Sequence, residues 1–286
     1  MKVLVIIPAF NEGRHLKECL ESFAQQTYQN IEFVVVNDAS TDDTQSIVED
    51  FIKNVPNFKL INLTNKPEHK PGAKVVRTFH AGLNSITPAD YEVIAKFDAD
   101  IILPPDYFEI MISELEKNPK IGIIGGLVYI EKNGKWIYEN ISGKNHVRGP
   151  IKTYRRECFE EIGGLRETLG WDNLDILLAR MHGWETKVVA DVWVKHLKPT
   201  AQVYKKSKAE KLGEYFYNIG LDKKLAFISS AKAAWKEKSL KNFIISYKAF
   251  LSSEKKKKER KISPEEIDFI RKYRWNEMRK KFRLLI

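Results

Sequence analysis

Two cysteines in 286 residues, Cys19 and Cys158, are too few for a disulfide framework, and no CxxC spacing offers a zinc or dithiol site. So small a count fits a reducing compartment. Long hydrophobic runs are also missing. The first apolar stretch, Val3 to Ile7, is stopped by Pro8 and soon followed by Asn11 and Glu12, too short for a membrane span or a signal-peptide core. On this reading the chain stays soluble in the cytoplasm, or at most lies peripherally on the inner face of the cell membrane. Neither GxGxxG nor GxxxxGK[ST] occurs, so the mechanical parts of dinucleotide dehydrogenases and P-loop enzymes are absent. No internal repeat is found.

Apolar and charged residues are plentiful, at 43% and 30%, enough for a large core in one domain or two. The net charge of +10 is unevenly spread. Residues 1–202 carry 24 Lys and Arg against 28 Asp and Glu, whereas residues 203–286 carry 24 against 10. A slightly acidic body with a strongly basic tail predicts a domain over 1–202 and a basic helical extension over 203–286.

Strand and helix patterns alternate over the first hundred residues. "KVLVII" (2–7), "IEFVVV" (31–36), "FKLINL" (58–63) and "YEVIAKF" (91–97) read as short apolar strands. Between them Leu16, Leu20 and Phe23, then Ile47, Val48, Phe51 and Ile52, fall at helical spacing, and Ser40 or Thr41 is positioned to cap the second helix. A further helix is expected at about 73–86. The alternation predicts an α/β fold, a mainly parallel sheet with helices on both faces. Further on, "IGIIGGLVYI" (121–130) reads as a strand broken at Gly125-Gly126, and "KNGKWIY" (132–138) as a hairpin turning at Asn133-Gly134. "GWDNLDILLARMHGW" (170–184) reads as a helix. In the tail, Leu240, Phe243, Ile244, Tyr247, Phe250 and Leu251 share one helical face, and "SPEE" (263–266) is a helix start capped by Ser263.

In such sheets ligands bind beyond the carboxyl ends of the strands. Three polar clusters fall there: "PAFNE" (8–12), "NDAST" (37–41) and "DAD" (98–100). The first two loops precede helices and are expected to offer free backbone N–H groups to an anion. Asp38 suits a hydrogen bond from a base or ribose; each of these residues also suits turn and cap chemistry. Asp98 and Asp100, at i and i+2 on a strand end, point one way and would repel unless something positive sits between them. Mg²⁺ and Mn²⁺ take a few carboxylates and complete their shell with phosphate oxygens and water. The pair therefore reads as a divalent-cation site serving a diphosphate, or else as a solvated strand end.

Together "VIIPAFNE", "VVVNDASTDDT", "KFDADIILPPDYF" and "GWDNLD", in this order over about residues 1–200, resemble the inverting glycosyltransferases of family 2, which have the GT-A fold. The resemblance implies a nucleotide-diphosphate sugar donor and Mn²⁺ or Mg²⁺. It implies that Pro8, Ala9, Phe10 and Glu12 line the nucleotide site, that Asp38 holds the base, and that Asp98, Ala99 and Asp100 serve ribose and metal. In that family an acidic pair on a later helix supplies the catalytic base. Here the pair reads Trp171-Asp172, so its first member is not acidic. Asp172 takes the base position and Asp175, one turn on, is the runner-up; a helix cap is the other role open to Asp172. His196, at a strand end, reads as a metal ligand or as a packed histidine. Lys74 and Arg77 suit phosphate or the wet face of a helix, and Trp171 suits a sugar ring or a core.

The implied activity moves one sugar, with inversion, to a glycan or lipid-linked acceptor, as in polysaccharide or cell-surface glycan biosynthesis. "RKYRW" (271–275) matches the Q/RxxRW motif of related processive synthases, but it lies far along the tail and beside no membrane span. It reads as a decoy, and the enzyme as non-processive. The tail is expected to be either a solvated extension or an attachment to an anionic membrane surface, and it carries no nucleic-acid reader motif. Two other functions stay open: a nucleotide-sugar-binding protein without catalysis, favoured by Trp171, and a sugar nucleotidyltransferase, disfavoured by the missing glycine-rich N-terminal loop.

Overall fold

The computed structural model describes residues 1–64, 72–198 and 208–283. The chain divides into two compact units. The first takes Met1–Lys70, Lys74–Leu165 and His182–Pro199, and the second Pro71–Ala73, Arg166–Met181 and Thr200–Ile286. The segment 166–181 is thus grouped with the C-terminal helices, and the boundary expected at 202 lies outside the described residues.

In chain order the first unit holds β1 (Val3–Ala9), α1 (Gly13–Ala24), β2 (Ile31–Asp38), α2 (Thr44–Ile52), β3 (Phe58–Leu63), α3 (Ala73–Asn84) and β4 (Val93–Phe97). There follow β5 (Ile101–Ile102), α4 (Tyr107–Lys117), β6 (Ile121–Lys132), β7 (Lys135–Tyr138), β8 (Ile151–Arg155) and α5 (Arg156–Glu161). After α6 (Trp171–Met181), which belongs to the second unit, β9 (Glu185–His196) closes the first. Among the described residues the strands form one sheet in the order β3-β2-β1-β4-β8-β6-β9-β5, with β7 paired to β6. β1 runs parallel to β2 and β4, and β2 to β3, as the alternation predicts. Beyond β4 the sheet is mixed: β8 is antiparallel to β4 and β6, β5 is antiparallel to β9, and β6 is parallel to β9.

The strand β1 is buried over nearly its whole length, as a strand covered on both faces must be. On one face Leu16, Cys19, Leu20 and Phe23 of α1, with Tyr107, Phe108 and Met111 of α4, pack with Val3, Val5, Ile7 and Phe33. Phe33 stacks on Phe58 at 4.3 Å and meets Phe23 edge-on at 5.6 Å. On the other face α3 lies so close that a Cβ at Gly82 would sit 2.7 Å from Val36 and 2.8 Å from Ile6.

Three local expectations change. β6 runs unbroken through Gly125-Gly126, where its register with β9 shifts. A Cβ at Gly126 would meet the Val192 carbonyl oxygen at 2.5 Å, so the glycine admits a close backbone instead of ending the strand. Neither Ser40 nor Thr41 caps α2, which begins at Thr44 and has its first N–H held by Asp42 Oδ1 at 3.1 Å. Asp98 and Asp100 lie past the end of β4, in its connection to β5, so the turn and not strand alternation aims them. The hairpin turn stands as expected, with Asn133 and Gly134 at φ 53° and 72° joining β6 to β7.

The second unit contains α6, α7 (Lys208–Asn218), α8 (Lys223–Glu237), α9 (Leu240–Lys255) and α10 (Pro264–Arg283). Small residues let its helices approach. A Cβ at Gly213 of α7 would lie 1.9 Å from the Ser246 carbonyl oxygen of α9, and Ser246 and Ser253 are buried. Phe250 is buried as well, but Leu240 and Ile244 of the expected apolar face are exposed. Ser263 caps α10 reciprocally: its Oγ accepts from Glu266 N–H at 3.2 Å, and its own N–H donates to Glu266 Oε2 at 2.6 Å. Among the described residues no helix is long and apolar enough to cross a membrane.

Candidate active site

The ends of β1 and β2 lie side by side, with Ala9 opposite Asn37, and their loops are stitched together. Asn11 N–H donates to Ser40 Oγ at 3.0 Å, Glu12 N–H to Thr44 Oγ1 at 2.8 Å, and Gly13 N–H to Asp42 Oδ2 at 3.0 Å. In return, Thr41 N–H donates to Asn11 Oδ1 at 2.8 Å, and within the second loop Ser40 N–H donates to Asn37 Oδ1 at 3.1 Å. Asn11 and Ala39 both adopt φ 54°, a left-handed backbone that costs a non-glycine residue energy and persists here under this stitching. In the loops expected to offer free donors to an anion, the backbone N–H groups of Asn11, Glu12, Gly13, Ser40 and Thr41 are therefore engaged within the protein.

Asp38, the last residue of β2, is buried. Its Oδ2 accepts from Thr78 Oγ1 at 2.9 Å and lies 3.3 Å from Lys74 Nζ. Its Oδ1 is buried with no hydrogen-bond partner among the described residues. Lys74 also stands over the exposed Phe10 ring, 3.0 Å from its centre. Helix α3 sets Lys74 and Thr78 one turn apart, which explains how both reach one carboxylate. Arg77, on the same helix, is half-buried; Pro8 is half-buried, and Ala9 and Ala99 pack in the core.

A second corner forms where β4, β5 and β9 meet. The pairing of Ile101 with His196 brings the histidine to the turn bearing Asp98 and Asp100. One ligand atom from each of Asp98, Asp100 and His196 lies within 4.8 Å of the other two. The charges are balanced by neighbours. Lys96, only 2% exposed, pairs with Asp98 Oδ1 and donates to the Gly149 carbonyl at 3.2 Å. His196 Nε2 is 3.4 Å from Asp100 Oδ2 and Nδ1 is 3.1 Å from Glu139 Oε2, while Glu139 is buried against Arg148.

Burial works against the His196 imidazolium, but hydrogen bonds to Asp100 and Glu139 prevail and push its pKa up to about 9. Burial likewise opposes the Glu139 carboxylate, yet His196 and Arg148 hold it down to about 2. Asp98 is lowered despite burial because of Lys96. Burial raises the Glu12 carboxyl; Lys198 Nζ, 2.5 Å away, opposes this, and the Asp100 and Asp98 charges add to it. Two carboxylates and an imidazole whose far nitrogen rests on a third carboxylate make a donor set that suits a divalent cation, the imidazole favouring Mn²⁺ over Mg²⁺.

In the second unit Asp172 lies inside the first turn of α6, one residue past its start, and is half-buried, so it is not the cap. Asp175 and Trp171 are buried, and Asp175 Oδ1 accepts the N–H of Ile176 at 2.6 Å. Burial pushes the Tyr215 hydroxyl up to about 12; the Arg274 charge and hydrogen bond oppose this and the Asp172 charge adds to it. Arg274 belongs to the "RKYRW" string, which folds back near α6. Tyr273 OH accepts from Arg180 Nη1 at 2.7 Å, Arg271 Nε donates to the Gly220 carbonyl at 2.8 Å, and Trp275 Nε1 to Asp222 Oδ2 at 3.3 Å.

Sequence reasoning missed Thr78, Lys96, Glu139, Arg148 and Lys198. Lys96 had a signal, standing two residues before Asp98 in the same strand-end run. Glu139 and Arg148 had none, because only the mixed half of the sheet brings them to His196.

The profile of glycosyl transferase family 2 matches residues 4–166, more than half of the sequence. The chain belongs to this family. It is 32% identical over 128 residues to an uncharacterized glycosyltransferase of Haemophilus influenzae, a match covering 45% of this chain and 37% of the relative. The chain therefore matches less than half of that relative's length. Among solved structures, the mannosyltransferase PcManGT from Pyrobaculum calidifontis, in complex with GDP-Man and Mn²⁺, aligns with a TM-score of 0.61 and 20% identity over 89% of this chain and 75% of that one. S. aureus TarS 1–349 in complex with UDP-GlcNAc gives 0.57 and 20% identity over 77% and 66%. These likenesses establish the GT-A fold.

Proposed function

We propose that this protein is a metal-dependent, inverting glycosyltransferase that moves a single sugar from a nucleotide-diphosphate donor to a glycan or lipid-linked acceptor. The observation that carries the reading is the convergence of Asp98, Asp100 and His196 within 4.8 Å. It is supported by Asp38, whose buried Oδ1 has an acceptor position open to a base N–H. The stitched loops add to the case: with the N–H groups of Asn11, Glu12 and Gly13 already accepted by side chains, a diphosphate must find its counter-charge elsewhere.

In this reading Asp38 fixes the base, and Lys74 over Phe10 closes the same pocket. Asp98, Asp100 and His196 hold Mn²⁺ or Mg²⁺, and Glu139 orients the His196 ring. A bound cation supplies Lewis-acid neutralisation of the departing diphosphate. Asp172 takes the acceptor's hydroxyl proton; the freed oxygen attacks the anomeric carbon as the carbon–oxygen bond to the diphosphate breaks, and a single displacement inverts that carbon. Asp175, buried and engaged with its own helix, is the weaker choice of base.

Thermal denaturation with a panel of UDP-, GDP-, dTDP- and CMP-sugars, with and without Mn²⁺, tests the binding half of the proposal. One donor is expected to raise Tm only when Mn²⁺ is present. No shift from any donor would refute it. For the chemistry, Asp172→Asn is expected to bind that donor normally and to lose about 10²–10⁴-fold in transfer rate. If wild type binds donor but transfers to no acceptor, the protein is a nucleotide-sugar binder, the reading that Trp171 in place of an acid leaves in play.

A further inference from the structure

In the second unit, α8 and α9 meet at an elbow where Lys238 takes φ 51°. The elbow and the flanking turns turn large apolar side chains outward: Trp235 is 86% exposed, Leu240 75%, Phe227 48% and Ile244 44%. With Phe243, which meets Phe227 edge-on at 5.1 Å, Trp235, Leu240 and Phe227 line a groove of about 660 Å³ between the two helices. On α9 the inward face is Ser246, Phe250 and Ser253, which leaves Leu240 and Ile244 on the outward side.

A strong charge surrounds this surface. Residues 223–250 contain seven lysines and a single acid, Glu237. Glu237 is already held by Lys208 at 2.5 Å. Lys232, Lys236, Lys238 and Lys241 are all exposed on the elbow and its adjoining turns. An apolar patch with an indole at its tip and a lysine rim matches the two layers of an anionic bilayer surface, with acyl boundary below and phosphate headgroups around. A second copy of the chain fits less well, because self-pairing would press one lysine rim against another.

We propose that the α8–α9 elbow is a membrane-docking element that seats Trp235 and Leu240 in the interface of an anionic bilayer. This surface is independent of the Asp98, Asp100 and His196 corner and makes use of none of its chemistry.

Co-sedimentation of the full chain with vesicles of equimolar phosphatidylglycerol and phosphatidylcholine, and with phosphatidylcholine alone, tests it. Binding is expected to the anionic vesicles and to fall about tenfold or more on neutral ones. The double variant Trp235→Glu, Leu240→Glu should lose about tenfold or more of the anionic binding, with Tm and donor-induced Tm shift unchanged because both side chains are exposed. Replacing Lys236, Lys238 and Lys241 by Gln should weaken binding most at low salt. The proposal is overturned if wild type stays in solution with anionic vesicles at low salt, or if the double variant binds as wild type does. It is equally overturned if the double variant abolishes a dimer in solution while vesicles never bind, which would assign the surface to a second copy. Donor binding read on the same samples keeps this outcome separate from the fate of the glycosyl-transfer proposal.

Discussion

The two polar corners of the first unit answer opposite problems. At the ends of β1 and β2 the loops satisfy each other, side-chain oxygens of one taking backbone N–H groups of the other, and two residues are held at φ 54° by that exchange. Where β4, β5 and β9 meet, three carboxylates crowd an imidazole, and a buried lysine and arginine keep the balance. The first corner contributes shape, since its loop-to-loop hydrogen bonds are made within the protein and only Asp38 Oδ1 keeps an open acceptor position among the described residues. The second contributes charge that another cation can share. Under the proposed function the first corner would hold a donor at its base and the second would meet the charge of its phosphates.

The largest effect should come from the charged corner. Asp100→Asn is expected to lower Mn²⁺-dependent transfer by the folded protein on the order of a thousandfold; a loss of only a few-fold would mean that this corner does not serve the chemistry. One layer out, Glu139→Gln leaves the three proposed ligands Asp98, Asp100 and His196 in place but loosens the ring of His196. Mn²⁺ affinity, titrated calorimetrically without donor, should drop about 10–100-fold. The stitched corner should respond in stability and not in metal binding. Asn11→Ala removes the acceptor of Thr41 N–H and leaves a Cβ at φ 54°, at a cost of about 1–2 kcal/mol by urea denaturation, and Asn11→Gly should recover part of it. If Asn11→Ala instead weakened Mn²⁺ binding, the two corners would not be separable.

The smallest effect concerns a carboxylate remote from both. Glu32 takes hydrogen bonds from Lys2, Tyr91 and Lys59, the first being the main cause that holds its pKa at about 2. Because the folded-state value is depressed, its stabilisation is complete above about pH 4.5 and is lost as pH falls toward 2. With the side chain 28% exposed, solvent screening limits the effect to about 1 kcal/mol. Tm measured across this range should fall less steeply in Glu32→Gln than in wild type.

Much of this was legible because apolar runs and polar interruptions alternate cleanly in the first hundred residues. Strands β1 to β4 and the loops carrying Glu12, Asp38 and Asp98 were found from period and position alone. Gly125-Gly126 misled because glycine weakens a strand on average, whereas here it lets β6 and β9 approach. Ser40 and Thr41 misled because both serve the neighbouring loop and leave the α2 start to Asp42. The partners of His196 were hidden for a different reason. Glu139 and Arg148 sit in irregular segments that only an antiparallel crossover brings to it, and no local pattern encodes that. Arg274 was hidden by distance along the chain: the string that holds it looked remote from α6 and folds back near it.

β5 is two residues long and lies at the margin of the sheet; among the described residues it pairs with β9 through Ile101 with His196 and Ile102 with Lys195, and Leu197 N–H donates to the Asp100 carbonyl at 3.0 Å. So short a ladder frays readily by itself. An ion gripping Asp100 on one side and His196 on the other would rivet this seam from the outside. Amide exchange at Ile101, Ile102 and Leu197 would then report ion loading directly, without any sugar or acceptor in the tube.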